Sequence, residues 1–362
     1  MAVKMVKGKL LPIGLDLGTT AVRLAQFRQH EGSYGMIAAA SADIPAEKQA
    51  DFRSRLDFCG SAIKGLLAAG GFMGRECVLV LPAEATFVQH VKIARTAPEQ
   101  IEAAVLQEIQ GKLPFPATSA EIRHIVAGEV AGEGDGRQEV IVVAAARETV
   151  MACLAMAHKA GLDVSGVNIE SCAIVQCFAR LFKRSSDANR AILYLDIGQS
   201  STQAVLAHGN RIVFARNLMV AGRQLDAALA EGLKISPQQA WQIRRDVAAG
   251  KETAVSPQEI DQHVGGVLNE MTDELTQCLR YYESVFRNQG VERAIFLGGQ
   301  AMDKRLCQLI AQRLNVPAQI GDPLVRIGSA AAGGSDLGID RREPQPRWAV
   351  AVGLSLGSGQ AA

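Results

Sequence analysis

The sequence lacks an excess of charge of either sign, because 38 Lys and Arg residues balance 37 Asp and Glu residues and leave a net charge of +1. Such a balance provides no overall electrostatic attraction to nucleic acid or to an anionic membrane surface. The sequence also lacks any stretch of about 18 uninterrupted apolar residues, the length that a transmembrane helix requires. We therefore expect no nucleic-acid partner and no direct membrane insertion.

Cysteine patterns that would indicate a metal site or a disulfide framework are also missing. The seven cysteines are odd in number and form neither a CxxC pair nor a Cys/His cluster. They lie among apolar neighbours, which favours buried free thiols in a reducing compartment. The short basic start of the chain has no long apolar core and does not resemble a signal peptide. These features predict a cytoplasmic protein.

What the sequence does have is one local pattern that occurs twice. Leu11–Phe27 has the pattern of a strand, a tight turn and a second strand, and Ala191–Leu206 repeats it. Aligning Asp16 with Asp196 also aligns Gly18 with Gly198, and the two copies lie 180 residues apart. That spacing is far too long for a solenoid repeat. It predicts two domains of related fold that face one another.

The residue types in both turns suit the binding of phosphate groups. Glycine lets the backbone approach a phosphate closely, and the hydroxyl residues that follow can donate hydrogen bonds to its oxygens. Mg²⁺ prefers carboxylates and phosphate oxygens, so Asp16 and Asp196, one from each half, are candidate magnesium residues. A single Asp-x-Gly would suit a turn-capping aspartate equally well. Two matched copies, together with Gly298-Gly299 after a third strand, favour a nucleotide cleft.

Between and after the two copies, periodicity predicts several further elements. Strands are predicted near 76–81, 87–93, 121–127 and 139–146, and a helix beginning at Pro98 has Ile101, Val105 and Ile109 on one face. We interpret residues of about 84–165 as a small α/β insert within a first half at 10–185. A second half is predicted at 186–356, with a long helix at 263–288 and a final apolar helix at 348–356. Residues 1–9 and 357–362 are predicted to be flexible tails.

At the level of motifs the chain resembles the actin, sugar-kinase and chaperone ATPase superfamily. Leu15–Thr20 is similar to its first phosphate loop, Leu195–Ser200 to its second, and Ile295–Gln300 to its adenosine motif. From about residue 11 to 356 the chain most resembles the PilM family of type IV pilus assembly. The segments that carry this closer resemblance are Pro98–Glu102, Gly111–Pro116, Val142–Ala146, Ala160–Leu162, Val220–Leu225 and Ile235–Ala240.

This resemblance implies a fold and a set of site residues. The implied fold is α/β: an actin-like (ribonuclease H-like) duplicated two-domain fold with an inserted small α/β subdomain. The implied ligands are ATP and Mg²⁺, with Asp16 and Asp196 holding the metal through water. The implied phosphate contacts are Gly18, Thr19, Thr20, Gly198, Gln199 and Ser200. The implied ribose and adenine contacts are Gly222, Gly298, Gly299 and Gln300.

Three further residues are weighed individually. Glu170 is a candidate for orienting an attacking water. The sequence is equally consistent with a surface carboxylate on a linker helix. Arg244 stands where the family usually has Lys, and Trp241 replaces a Glu that flanks the nucleoside. The Trp241 ring could stack on adenine or could simply pack against protein.

The resemblance also implies a function and a partner. It predicts a cytoplasmic ATP-binding adaptor, at most a slow ATPase, peripheral to the inner membrane in a type IV pilus platform or a related competence or type II secretion platform. Its partner would be the N-terminal cytoplasmic tail of a PilN-like membrane protein, docked as an extended peptide near Phe87–Ile93 and Ile101–Leu113. Homo-oligomer formation stays open.

Three other functions are considered. A sugar kinase would need a catalytic Asp beside a sugar pocket, and the sequence offers no clear candidate. A filament former like FtsA would need a basic amphipathic tail, whereas the chain ends in small neutral residues. A nucleotide-free pseudo-ATPase scaffold remains an alternative because of Trp241.

Overall fold

A computed structural model describes residues 8–130, 136–182, 190–287, 290–329, 335–336 and 339–357. Residues 1–7 and 358–362, which make up most of the predicted tails, lie outside this description. The strands, in chain order, are β1 (Lys9–Leu10), β2 (Ile13–Leu17), β3 (Ala21–His30), β4 (Ser33–Asp43), β5 (Glu76–Leu81), β6 (Phe87–Ala94), β7 (Ala120–Glu129), β8 (Arg137–Ala146), β9 (Asp163–Ile169), β10 (Ala191–Ile197), β11 (Thr202–His208), β12 (Arg211–Leu218), β13 (Val291–Leu297), β14 (Ala318–Ile320), β15 (Ile327–Ser329) and β16 (Ser335–Asp336).

Ten α-helices are described in the same residues. They are α1 (Ala46–Gln49), α2 (Phe52–Ala69), α3 (Pro98–Ile109), α4 (Arg147–Lys159), α5 (Glu170–Ala179), α6 (Gly222–Leu233), α7 (Pro237–Ala248), α8 (Pro257–Val285), α9 (Lys304–Leu314) and α10 (Ala349–Gly357). The long helix α8 begins six residues before the predicted start, because Ser256 caps its first turn and Pro257 fits the first helical position. In the described part of the chain, no helix is both long and apolar enough to cross a membrane.

The two large sheets share one arrangement of strands. In the first, β2, β3 and β4 form an antiparallel meander, and β2 also pairs in parallel with β5. In the second, β10, β11 and β12 form the same meander, and β10 pairs in parallel with β13. A turn at Gly209-Asn210 joins β11 to β12. The duplication read from the two sequence copies is thus a duplication of sheet topology.

Two helices, α5 and α10, pack against each other between the two large sheets. Their backbones come very close: a Cβ at Gly353 would lie 1.8 Å from the Ala173 carbonyl oxygen, and one at Gly14 of β2 would lie 2.0 Å from that of Ala351. Only glycine allows such an approach. The Ser355 hydroxyl also donates to the Pro12 carbonyl at 2.7 Å. This contact joins the end of the chain to its beginning.

The last described segments of the chain therefore return to the first sheet. Strands β15 and β16 pair in parallel with β4, and α10 packs on α5 and β2. The sequence analysis had placed residues 327–356 in the second half. Local hydrophobic periodicity identifies such elements but carries no information about which sheet they join.

A third sheet, in the order β6-β8-β7, forms a separate layer covered by α3. Ile101, Val105 and Ile109 are buried against it, as their spacing predicts. Helix α4 and strand β9 lie elsewhere, since β9 pairs in parallel with β5 of the first sheet and α4 packs on α2. The separate sheet with its helix thus occupies Phe87–Ala146, a shorter span than the predicted insert at 84–165.

Candidate functional site

The two predicted phosphate loops meet. The first loop follows β2 and the second follows β10, and the Ser200 hydroxyl donates to the Thr19 hydroxyl at 3.0 Å. Arg223, from the first turn of α6, also donates to the Ser200 hydroxyl at 3.1 Å. The loops border one cleft with a volume of about 500 Å³. Two turns 180 residues apart in the chain are therefore parts of a single site.

Nearly all of the residues singled out from the sequence line this cleft. They are Asp16, Gly18, Thr19, Thr20, Glu170, Asp196, Gly198, Gln199, Ser200, Trp241, Arg244, Gly298, Gly299 and Gln300. Gly222 instead lies behind the second loop, where its N–H donates to the Gly198 carbonyl at 3.1 Å. A Cβ at Gly222 would lie 2.3 Å from Gln300 Nε2, so a larger residue would displace the cleft wall.

The third glycine-rich turn contacts the acidic end of the second loop. Gly298 has a φ of +83°, and a Cβ there would lie 2.3 Å from Asp196 Oδ1. Glycine satisfies both the backbone conformation and the close approach. The predicted adenosine turn is thus held directly against the second aspartate.

Three carboxyl groups in the cleft have raised pKa values. Burial raises the pKa of Asp196 to about 7, with a further contribution from Asp16 and an opposing one from Arg23. Burial, followed by the charges of Asp196 and Asp16, raises the pKa of Glu170 well above its ordinary value. Burial also raises the pKa of Asp16, although Arg23 lies 3.5 Å away and opposes the shift. The three groups repel one another when ionised, and a cation would relieve that repulsion.

The raised pKa of Asp196, caused first by burial and then by repulsion from Asp16, predicts a pH dependence of stability for the ligand-free protein. An acid whose pKa rises on folding, here Asp196 from 3.8 to about 7, binds its proton more tightly in the folded state. The free energy of unfolding should therefore fall as the pH rises from about 4 to about 7. Asp196→Asn should flatten this decline in urea titrations, whereas Asn at the exposed Asp57 should leave it unchanged. An unaltered profile in Asp196→Asn would contradict the assignment of the raised pKa.

Four side chains at the wall of the cleft form a closed hydrogen-bonded ring. Gln199 Nε2 donates to Asp226 Oδ2 at 2.6 Å, and Arg244 donates to Asp226 Oδ1 at 2.6 Å and to Gln300 Oε1 at 2.7 Å. Gln300 Nε2 closes the ring by donating to Gln199 Oε1 at 3.0 Å. Arg244 is buried, so much of its hydrogen-bonding capacity is used by protein partners. The ring joins the second loop, α6, α7 and the adenosine turn into one wall.

Asp226 in this ring is a residue that the sequence analysis missed. It is one of two acidic residues within the amphipathic helix α6, and no motif marks it. Its burial raises its pKa, and Arg244 and Gln199 oppose that shift. One signal was available in the sequence. Arg244 stands where the family usually has Lys, and a basic residue that is buried there needs an acidic partner.

Trp241 faces the cleft from helix α7. Its ring is half-buried, and the Arg245 guanidinium lies over it at 5.1 Å from the ring centroid. A cation over an aromatic face is favourable and holds the ring in place. The structure thus shows a packing partner for the ring while leaving part of it exposed to the cleft.

The turn that leads into the inserted sheet is bonded to the cleft and to the second half. The Ala83 N–H donates to the Glu170 carboxylate at 3.3 Å, and Asn217 Nδ2 donates to the Ala83 carbonyl at 3.1 Å. Asn217 Nδ2 also donates to the Thr86 carbonyl at 3.3 Å. Arg55 of α2 pairs with Glu84 in the same turn. A change at Glu170 therefore has a short hydrogen-bonded route to the inserted sheet.

The inserted sheet also packs on the second half through a buried polar cluster. Glu139 is fully buried, with His90 Nδ1 at 2.7 Å and the Tyr281 hydroxyl donating at 2.6 Å. The His90 ring stacks on Phe214 of β12 with 4.7 Å between the ring centroids. Because a buried carboxylate needs its partners, these contacts fix how the sheet sits on β12.

Comparisons with known proteins agree with this architecture. The chain of a solved structure described as a PilM–PilN type IV pilus biogenesis complex matches with a TM-score of 0.78 and 22% identity, over 97% of this chain and 99% of that one. The ethanolamine utilization protein EutJ from Carboxydothermus hydrogenoformans matches with a TM-score of 0.57 and 14% identity, over 98% and 92% of the two chains. At these identities the likeness concerns the fold, and it confirms the predicted actin-like class.

The sequence itself is matched by a family model. The model described as type IV pilus assembly protein PilM covers residues 14–358, which includes both phosphate loops, the inserted sheet and the adenosine turn. The chain therefore belongs to the PilM family of type IV pilus assembly proteins.

Proposed function

We propose that this protein is a cytoplasmic ATP-binding adaptor of a type IV pilus inner-membrane platform, recruited to the membrane by the tail of a PilN-like protein. The observation that carries the nucleotide part is the contact between the loops at Thr19 and Ser200 on one cleft. Residues with hydroxyl and carboxyl side chains from both halves line that space, and such groups suit a phosphate chain with a metal.

The cleft residues fit a magnesium ion held largely through water. Among the described residues, no three His, Cys, Asp or Glu side chains lie close enough to hold a metal by themselves. Mg²⁺ usually keeps several waters and adds phosphate oxygens to one or two carboxylates. In this proposal Asp16 and Asp196 hold the hydrated ion, and its charge offsets the burial and the repulsion from Asp16 that raise the pKa of Asp196.

Titration calorimetry of the wild-type protein with ATP, with and without Mg²⁺, tests the nucleotide part. Saturable binding that requires Mg²⁺ is the expected result. If the protein binds ATP neither with nor without Mg²⁺, the result favours the nucleotide-free scaffold instead. Sedimentation with and without Mg-ATP tests the alternative of a filament former. Long polymers in the pellet would support that alternative.

We propose that hydrolysis, where it occurs, is slow and depends on Glu170. This residue begins α5 at the cleft and accepts the Ala83 N–H, which fixes its position near the phosphate loops. Glu170→Gln keeps the hydrogen-bonding shape but removes the carboxylate that could orient a water. We expect phosphate release to slow. The affinity for ATP should stay within about twofold, which corresponds to about 0.4 kcal/mol. Phosphate release equal to that of the wild type would remove Glu170 from the proposal.

The proposed partner site is the inserted sheet with α3. The family member in the solved complex is described as bound to PilN, and an extended tail could dock beside an exposed strand or helix. In this chain the apolar stripe of α3 is buried in its own subdomain, while Leu106 on the other face is 41% exposed. The turn at Ala83 and Thr86 supports a link between nucleotide and tail, because it is bonded both to Glu170 and to Asn217.

A further inference from the structure

One arginine in the cleft, Arg347, forms no ion pair with any residue that the structure describes. Among the described residues, the Arg347 side chain makes no hydrogen bond or ion pair, and its Nε is buried. Its backbone neighbours are fixed: the Pro346 carbonyl accepts the Gly298 N–H at 3.2 Å, and the Trp348 side chain is fully buried. The guanidinium is thus held at the cleft without a hydrogen-bonded or ion-paired group among the described residues, which is unfavourable for a partly buried charge.

Besides Arg244, whose partners are in the hydrogen-bonded ring, two other arginines line the same cleft. Arg23 comes from β3 of the first half and Arg245 from α7 of the second. Burial lowers the pKa of Arg347, and the positive charges of Arg23 and Arg245 lower it further, with a smaller opposing effect of Asp43. The Arg347 guanidinium is therefore close enough to Arg23 and to Arg245 to be repelled by both. The Arg23 Nε is also buried and without a hydrogen-bond partner.

The existing contacts of Arg23 and Arg245 leave them able to bind an anion. Arg23 has one long ion pair, with Asp16 at 3.5 Å, and Arg245 lies over the Trp241 ring at 5.1 Å. Guanidinium groups bind phosphate oxygens through two parallel hydrogen bonds, and arginine is favoured where such recognition matters. Three arginines from three different elements thus converge on a cleft whose floor carries the phosphate loops.

We infer that Arg347 and Arg245, together with Arg23, form an anion subsite that takes the phosphate chain of the bound nucleotide. This inference deepens the proposed function and rests on it for the identity of the ligand. The subsite adds positive charge contributed by both halves and by the segment before α10. It makes affinity depend on the number of phosphates, so that ATP and ADP bind much more tightly than AMP or adenosine.

The test compares Arg347→Gln and Arg245→Gln with the wild-type protein by calorimetry. Each variant should bind Mg-ATP about tenfold more weakly, the effect of losing one hydrogen bond to a charged group. Adenosine affinity should not change, and Arg347→Lys should recover part of the loss because it restores the charge. Arg342→Gln is the matched control, since Arg342 is close in sequence, exposed and paired with Asp340.

Two further measurements separate this inference from a structural role and from the proposed function. Because Arg347 is unpaired, Arg347→Gln should hold or raise the thermal midpoint of the ligand-free protein, whereas loss of a structural contact would lower it. Inorganic tripolyphosphate serves as a probe that lacks a nucleoside. Arg347-dependent binding of tripolyphosphate without ATP binding would support the subsite and overturn the proposed nucleotide. Equal ATP affinity in the wild type and both variants would overturn the subsite and leave the proposed function standing.

Discussion

Asp16→Asn is expected to weaken Mg-dependent ATP binding by about 100-fold or more, because a charge-bearing ligand of a metal–phosphate complex contributes on the order of 3 kcal/mol. The same loss is expected for Asp196→Asn, since one carboxylate from each half faces the proposed hydrated ion. Titration calorimetry at saturating Mg²⁺ measures the effect. Asp57→Asn provides a control of the same chemical change at an exposed position on α2.

The stability of these variants distinguishes a lost ligand from a damaged fold. Burial and mutual repulsion raise the pKa of Asp196, so its ionised form destabilises the ligand-free protein at neutral pH. Asn removes that charge, and the free energy of unfolding of Asp196→Asn should match or exceed that of the wild type. Weaker ATP binding with unchanged or higher stability would support the assignment. Unchanged ATP affinity in both variants would remove the two aspartates from the site.

The local sequence was enough to predict the two Asp-x-Gly turns and the duplication of the fold. In both copies a strand, an Asp-x-Gly turn and a second strand are adjacent in the chain, so their chemistry is visible within about ten residues. The structure places both turns at one cleft, with Thr19 and Ser200 in contact. The two matched sequence copies predicted that the turns lie close together, because the two halves repeat one sheet topology.

Other parts of the site depend on contacts between distant segments. Asp226 becomes significant only when α6 packs beside Arg244, and Arg347 only when the chain returns to Gly298. Asn217 looks like an ordinary polar residue on a strand until the inserted sheet brings Ala83 to it. Periodicity and short motifs describe neighbours along the chain, so they could not reveal these residues. For the same reason the insert was predicted too long, since the pairing of β9 with β5 is not local.

The proposed partner site can be tested without disrupting the inserted sheet. Removing residues 98–116 would strip α3 from its sheet and expose buried residues such as Val91 and Val140. A point change on the exposed face of α3 avoids this problem. Leu106 is 41% exposed, and its neighbours Val105 and Ile109 would keep the core contacts.

Leu106→Asp is therefore expected to weaken binding of a synthetic N-terminal tail of the PilN-like partner by about 10- to 100-fold, the equivalent of the 1.5–3 kcal/mol for burying a leucine side chain. Fluorescence anisotropy with a labelled tail peptide measures the change, and Mg-ATP affinity should be unaffected. Met151→Asp is the matched control, because Met151 is 57% exposed on α4, outside the inserted sheet. Equal binding by Leu106→Asp and the wild type would move the docking site away from α3, and an equal loss in both variants would indicate a nonspecific effect of added charge.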